Sequence, residues 1–330
     1  MQWKHWFAPY PELDYIQLEV STYCNAFCAY CPRTTAGSDW NNIHLMPSTL
    51  RPLLRHLPNV PYVHLQGWGE PLLNPHFFDL VKLVKAHGCR CGTTTNGILL
   101  NESCAEKIIN SEIDLVAISL TGAGSSHDRF RQGAPLTAVL QGIRTLAATK
   151  GNSRKRHPAI HIAYMLLRDG IDELEALPDL LDGLAVSEIV ISTLDHVPHP
   201  VLSAQVIDHG TPEWTAVAAK MTKIQTRLAA AGTRLVFDAA TATSRQNSAT
   251  CSERVDRALI IAADGGIHPC VFANLPDSAT GRKRKCFGNL AREGLDKTWW
   301  SEDFQRFRAS FSTNQLDELC LDCPKQAPRT

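Results

Sequence analysis

Strand-like apolar runs and helical stretches take turns through the first two thirds of the chain, and few folds accommodate that order. The runs are YIQLEV (15–20), YVHLQG (62–67), RCGTTT (90–95), LVAISL (115–120), IHIAYMLL (160–167) and EIVISTL (188–194). Between them PSTLRPLLRHL, HFFDLVKLVKAHG, SCAEKIINS, LTAVLQGIRTLAATK and IDELEALPDLLDGL carry helical spacing, several closing on Gly or polar breaks. Strands separated by helices pair in parallel through right-handed crossovers. Six such units predict an α/β fold, a partial (βα)6 TIM-like barrel, with its chemistry on loops at the C-terminal ends of the strands.

The rhythm also divides the chain. Residues 1–211 form the expected barrel, with DHVPHPVLSAQ (195–205) as a connector, and 212–232 a linking helix. From 233 to 330 the alternation fades and cysteines collect, which predicts a small second domain. A zero net charge gives no basis for capturing nucleic acid or a membrane surface. Neither a secretion signal nor an apolar run of membrane-spanning length occurs, so the expectation is a soluble, cytoplasmic protein.

Eleven cysteines in a chain of this kind are expected to be reduced thiols rather than disulfides. Cys24, Cys28 and Cys31 follow the first strand in CNAFCAYC, at the chemical rim of the expected barrel. Three thiolates on one short loop can hold three corners of an iron–sulfur cube and leave the fourth iron without a protein ligand. A structural zinc site takes four ligands, and no second pair lies nearby.

The CxxxCxΦC spacing, with Tyr30 as the aromatic Φ, resembles the signature of radical S-adenosylmethionine (SAM) enzymes. WGEP (68–71) is similar to that family's GGEP, which holds the methionyl amine of SAM, with Trp68 where the family often has Gly. TTTNG (93–97), which contains Asn96, resembles the third-strand ending, and Ser119 the polar residue at the end of the fourth strand. The resemblance implies that Tyr30, Gly69, Glu70, Asn96 and Ser119 surround SAM. Arg168, past the fifth strand, is either a partner for the SAM carboxylate, which Arg binds bidentately, or a solvated loop residue. The implied chemistry is reductive cleavage of SAM to a 5′-deoxyadenosyl radical that takes a hydrogen atom from substrate inside a water-excluding barrel.

Cys251-x13-Gly265-x4-Cys270, then FGNL (287–290), LDKTWWSEDFQRFR and Cys320-x2-Cys323, resembles the SPASM extension of these enzymes. Only PKQAPRT follows, so the likeness is to the half-length Twitch form with one auxiliary [4Fe–4S] cluster. The resemblance implies Cys251, Cys270, Cys320 and Cys323 as its ligands. A zinc ribbon is the competing reading of four cysteines closed by CxxC. Cys286 is left over as a substitute ligand, a hydrogen-atom donor or a packing residue. Cys89, Cys91 and Cys104 read as core.

A cluster saturated by protein transfers electrons, so the expected outcome is two-electron oxidation of a small carbohydrate-like or natural-product molecule. The alternatives are a peptide-modifying maturase or epimerase and, in another class, a non-catalytic iron–sulfur or zinc redox protein. An electron donor such as flavodoxin or ferredoxin is the expected partner. His196 and His199 are candidate general bases, and RKRK (282–285) is either a phosphate contact or a solvated loop. Trp3, Trp6 and Phe7 are expected to cap the barrel bottom.

Overall fold

A computed structural model describes residues 11–237, 251–281, 283–313, 315–321, 323 and 325. All six expected strands form, as β1 (Tyr15–Leu18), β2 (Tyr62–Leu65), β3 (Arg90–Thr95), β4 (Leu115–Leu120), β5 (Ala159–Leu166) and β6 (Glu188–Thr193). They pair in parallel in that order, with Ile16 opposite Val63, Thr93 opposite Val116 and Ile162 opposite Ile189. Along β5 burial alternates: Ile160, Ile162, Tyr164 and Leu166 are buried, while Ala163 and Met165 on the other face line an interior cavity. The two-residue period of a strand produces that division.

Helices α1 (Phe77–Ala86), α2 (Glu102–Asn110) and α3 (Leu136–Ser153) cover the outside as their spacing predicts. The Asn101 side chain caps α2 by accepting from the Cys104 amide at 2.9 Å. Two expected helices shrink to 3₁₀ turns at Pro47–Leu53 and Asp172–Ala176 and a four-residue helix at Leu177–Leu180. Pro52 and Pro178 lie inside them and remove backbone donors.

The sheet is wider than the expected six strands. Helix α4 (Pro212–Ala230), capped by Thr211, leads into β7 (Arg234–Val236), which pairs in parallel with β6 although it lies past residue 232. At the opposite edge β8 (Ala258–Ile261) pairs in parallel with β1, and β9 (Gly266–His268) and β10 (Gly288–Asn289) continue antiparallel. The C-terminal segment therefore grows directly out of the barrel's first strand. Helices α5 (Gly294–Trp299) and α6 (Glu302–Thr313) pack on it through Phe287 stacked on Phe304 at 4.2 Å and the Arg308 guanidinium 3.9 Å from the Trp299 ring. No helix among the described residues is long and apolar enough to cross a membrane. Trp3, Trp6, Phe7 and Arg282 lie outside the described residues.

Candidate active site

The cysteine loop leaves β1 and crosses the open end of the barrel. Its shape is held by backbone bonds: Phe27–Cys28 pair antiparallel with Arg131–Gln132, and the Cys31 amide donates to the Cys28 carbonyl at 3.1 Å. The Ala26 amide reaches the Cys24 sulfur at 3.4 Å. The neighbouring WGEP loop is laid against it, with the Gly69 amide on the Ser21 carbonyl at 3.1 Å and the Glu70 amide on the Tyr23 carbonyl at 2.7 Å. A Cβ on Gly69 would stand 2.3 Å from the Tyr23 oxygen and 2.6 Å from that of Ser21, so only glycine permits this approach.

Glu70 is buried and its carboxylate joins two loops. It accepts from the Thr95 hydroxyl at 2.7 Å, the Asn96 amide at 2.7 Å and the Leu72 amide at 3.1 Å. Burial pushes its carboxyl up, and these donors oppose the shift. The Asn96 side chain reaches the Asn25 amide oxygen at 2.7 Å and lies 3.9 Å from the Cys24 sulfur. Together they fix the third-strand ending against the cysteine loop.

On the far side, the Tyr30 hydroxyl meets Thr121 Oγ1 at 2.7 Å and accepts from Arg131 Nη1 at 2.6 Å. Arg131 is 6% exposed, and its Nε has no hydrogen-bond partner. A buried cation with an unpaired donor is costly unless an anion lies close to it. Beside it, His127 is fully buried. Its Nδ1 accepts from the Thr121 amide at 3.3 Å and its Nε2 donates to the Ala134 carbonyl at 2.9 Å, the pattern of a neutral imidazole. Burial, with Arg131 next, holds its pKa down to about 4.

These residues border one cavity of about 450 Å³. Cys24, Cys28, Tyr30 and Cys31 form its roof, and Gly69, Glu70, Asn96 and Ser119 come from the second, third and fourth strands. Arg131 completes it, a residue for which the sequence offers only HDRFRQG after the fourth strand. Arg168 lies elsewhere: it is exposed, its Nη1 is 3.0 Å from Glu213 and its Nη2 donates to the Val206 carbonyl at 2.6 Å. Arg168 does not border this cavity, whereas Arg131 does.

A second cavity of about 260 Å³ is bordered by Cys251, Cys270, Cys320 and Cys323. Separate pieces of chain deliver these thiols, and the tail is held in place by the Ser252 amide on the Lys325 carbonyl at 3.0 Å and by Asp317, which caps the turn before Cys320. Cys286 is exposed, donates to the Gly288 carbonyl at 3.2 Å and borders neither cavity. Cys89 and Cys91 are core residues, and Cys104 is half-buried on α2. His196 borders both cavities, whereas His199 caps the turn at Val201.

Trp68 makes a docking contact. Its indole donates to the Val271 carbonyl at 3.4 Å, and it packs with Phe272, Leu275 and Ala279 of the C-terminal segment. Buried Glu19 ties the same junction by accepting from Asn274 Nδ2 at 2.8 Å.

Residues 18–181 match the family model of the radical SAM superfamily. The chain belongs to the radical SAM superfamily. Residues 251–324 match SPASM, an iron–sulfur cluster-binding domain. The cofactors of this radical SAM enzyme are thus a SAM-binding [4Fe–4S] cluster, SAM and an auxiliary cluster. The residues present fit them: three loop thiols and the buried Arg131 border one cavity, and four further thiols border a second space.

A tungsten-containing aldehyde ferredoxin oxidoreductase cofactor-modifying protein of Pyrococcus furiosus is 24% identical over 322 residues, covering 94% of this chain and 87% of that protein. Mycofactocin maturase of Mycobacterium ulcerans is 26% identical over 50% of this chain and 43% of its own length. Among solved structures, anSMEcpe with bound AdoMet superposes with a TM-score of 0.68 at 15% identity, covering 95% of this chain and 85% of that one. Streptococcus suis SuiB bound to precursor peptide SuiA gives 0.67 at 14% identity, covering 97% and 71%. At those identities the likeness is one of fold.

Proposed function

We propose that this radical SAM enzyme removes a hydrogen atom from a small molecule in the 450 Å³ cavity and completes a two-electron oxidation. The observation that carries this reading is a shared wall: Asp195, His196, Glu253, Phe272 and Lys325 border both cavities. A substrate held in the first cavity lies against the second.

In this reading Cys24, Cys28 and Cys31 hold the first cluster, and Cys251, Cys270, Cys320 and Cys323 the auxiliary one. When bound, the first cluster with SAM supplies hydrogen-atom abstraction, and the auxiliary cluster supplies an electron acceptor. The chain does the remainder. Arg131, a buried cation bordering the cavity, is the proposed partner of a carboxylate. Glu70 and Asn96 hold the loops that orient the amine end of SAM, Ser119 and Tyr30 border the same space, and the apolar inner face of Ala163 and Met165 excludes water. A flavodoxin or ferredoxin is the proposed electron source.

The relative that spans 94% of this chain is named for modifying a cofactor, which supports a non-peptide substrate. Peptide modification is the second reading, supported by a fold neighbour bound to a precursor peptide. Electron paramagnetic resonance of the anaerobically reconstituted chain tests the assignment. Two reduced clusters are expected, of which SAM perturbs one, and C251A/C270A removes the unperturbed signal alone. One signal in the wild type, or SAM perturbing the signal lost in that variant, would overturn it.

A further inference from the structure

The charges bordering the larger cavity are unevenly placed. Among the described residues they are Glu70, Asp195, Glu253, Arg131 and Lys325. Glu70 is occupied by three protein donors, and Arg131 stands with Tyr30 beneath the cysteine loop. That leaves the shared wall. There Lys325 Nζ lies 2.6 Å from Asp195 Oδ2 and 3.6 Å from Glu253 Oε1, so one ammonium faces two carboxylates. All three side chains are about a quarter to a third exposed, between full burial and free solvation.

From this asymmetry we infer that the substrate carries a protonated amine, which the Asp195 and Glu253 carboxylates receive beside Lys325. The inference rests on the reading that this cavity is the reaction site. A carboxylate has about four acceptor positions, so each can accept a second cation's N–H bonds while holding the lysine. A second ammonium would balance the wall at two charges of each sign. A phosphate or carboxylate would instead meet two like charges at close range, which costs binding energy. Arg131 borders the same cavity apart from this wall, so the site has a cationic pole for an anionic group and, at Asp195 and Glu253, an acidic pole for a cationic one. Arg284 and Lys285 do not reverse that polarity. Arg284 is bonded to Asn274 at 2.7 Å and Lys285 to Asp317 at 2.6 Å, and neither borders the cavity.

Ligand-observed NMR on the reconstituted, SAM-bound enzyme tests this with matched probes. One set is glucosamine, N-acetylglucosamine and glucose 6-phosphate; the other is N-acetyl-lysine amide and N-acetyl-norleucine amide. The amine member of at least one set should bind about tenfold more tightly than its neutral partner. That preference should vanish in D195N/E253Q and persist in D195E. Preference in the sugar set points to a free metabolite and preference in the lysine set to a peptide side chain. Equal or tighter binding of neutral or phosphorylated probes, an amine preference surviving in D195N/E253Q, or binding by neither amine would overturn the inference. Release of 5′-deoxyadenosine by the wild type is measured separately. Its presence with no amine preference sinks only this inference, and its absence sinks the reaction beneath it.

Discussion

Arg131 Nη1 donates to the Tyr30 phenol oxygen at 2.6 Å, joining the segment after the fourth strand to the loop that carries Cys28 and Cys31. The same arginine sits opposite Cys28 in a two-residue antiparallel ladder. One residue thus shapes the cysteine loop through its backbone and tyrosine contact while also bordering the cavity.

Replacing Arg131 should separate those roles. R131Q keeps the ladder but loses the buried charge, so SAM affinity should fall about tenfold or more while iron loading stays close to wild type. Equilibrium binding of SAM to the reconstituted variant, with iron analysis, is the check. Unchanged affinity would remove Arg131 from the cofactor site.

Gly69→Ala should be far more damaging than its size implies. The new methyl meets backbone oxygens of Tyr23 and Ser21 on the cysteine loop, and backbone cannot swing aside like a side-chain end. A displacement on the order of 1 Å at a reacting centre costs about 100-fold in rate. Formation of 5′-deoxyadenosine by the variant should drop by about that factor, and near-normal formation would contradict the close approach.

Trp68→Ala should loosen the C-terminal segment from the barrel. It deletes the bond to the Val271 carbonyl and the packing on Phe272, Leu275 and Ala279. A loss of about 2 kcal/mol is expected for a half-buried aromatic, read as a lower urea midpoint. Trp68→Phe should recover part of it, and equal midpoints for all three proteins would dismiss the docking role.

His127 sets a pH dependence of stability. Its folded pKa is held down to about 4 from an ordinary 6.5, so between those values the unfolded chain binds a proton that the folded chain does not. Its contribution is therefore complete above about pH 6.5 and is lost as pH falls toward 4. Between pH 7 and pH 5 the loss should be on the order of 1–2 kcal/mol. Urea unfolding at both values should show His127→Gln declining less than wild type; parallel declines would assign the effect elsewhere.

The barrel strands were legible because each is a run of four to eight residues bounded by breaks and followed by a helix. Strands β7 and β8 lie past residue 232, where the strand–helix alternation has faded, so no local rhythm reveals that they extend the sheet at opposite edges. At the site, Cys24, Cys28, Tyr30, Cys31, Gly69, Glu70, Asn96 and Ser119 border one cavity and lie in short motifs at strand ends, where local order mirrors spatial order. Arg168 also lies just past a strand, but Glu213 on α4 draws it outward, and no local pattern announces that partner. Arg131 and the wall of Asp195, Glu253 and Lys325 depend on burial and on contacts between distant segments. Such residues become visible only once the chain is folded.

Reductive cleavage of SAM is the most direct measurement of the central claim. The anaerobically reconstituted chain, holding about eight irons for two [4Fe–4S] clusters, should release 5′-deoxyadenosine when given SAM and a one-electron reductant, and C24A/C28A/C31A should release none. Intact SAM with the wild type, or cleavage persisting in the triple variant, would contradict the account.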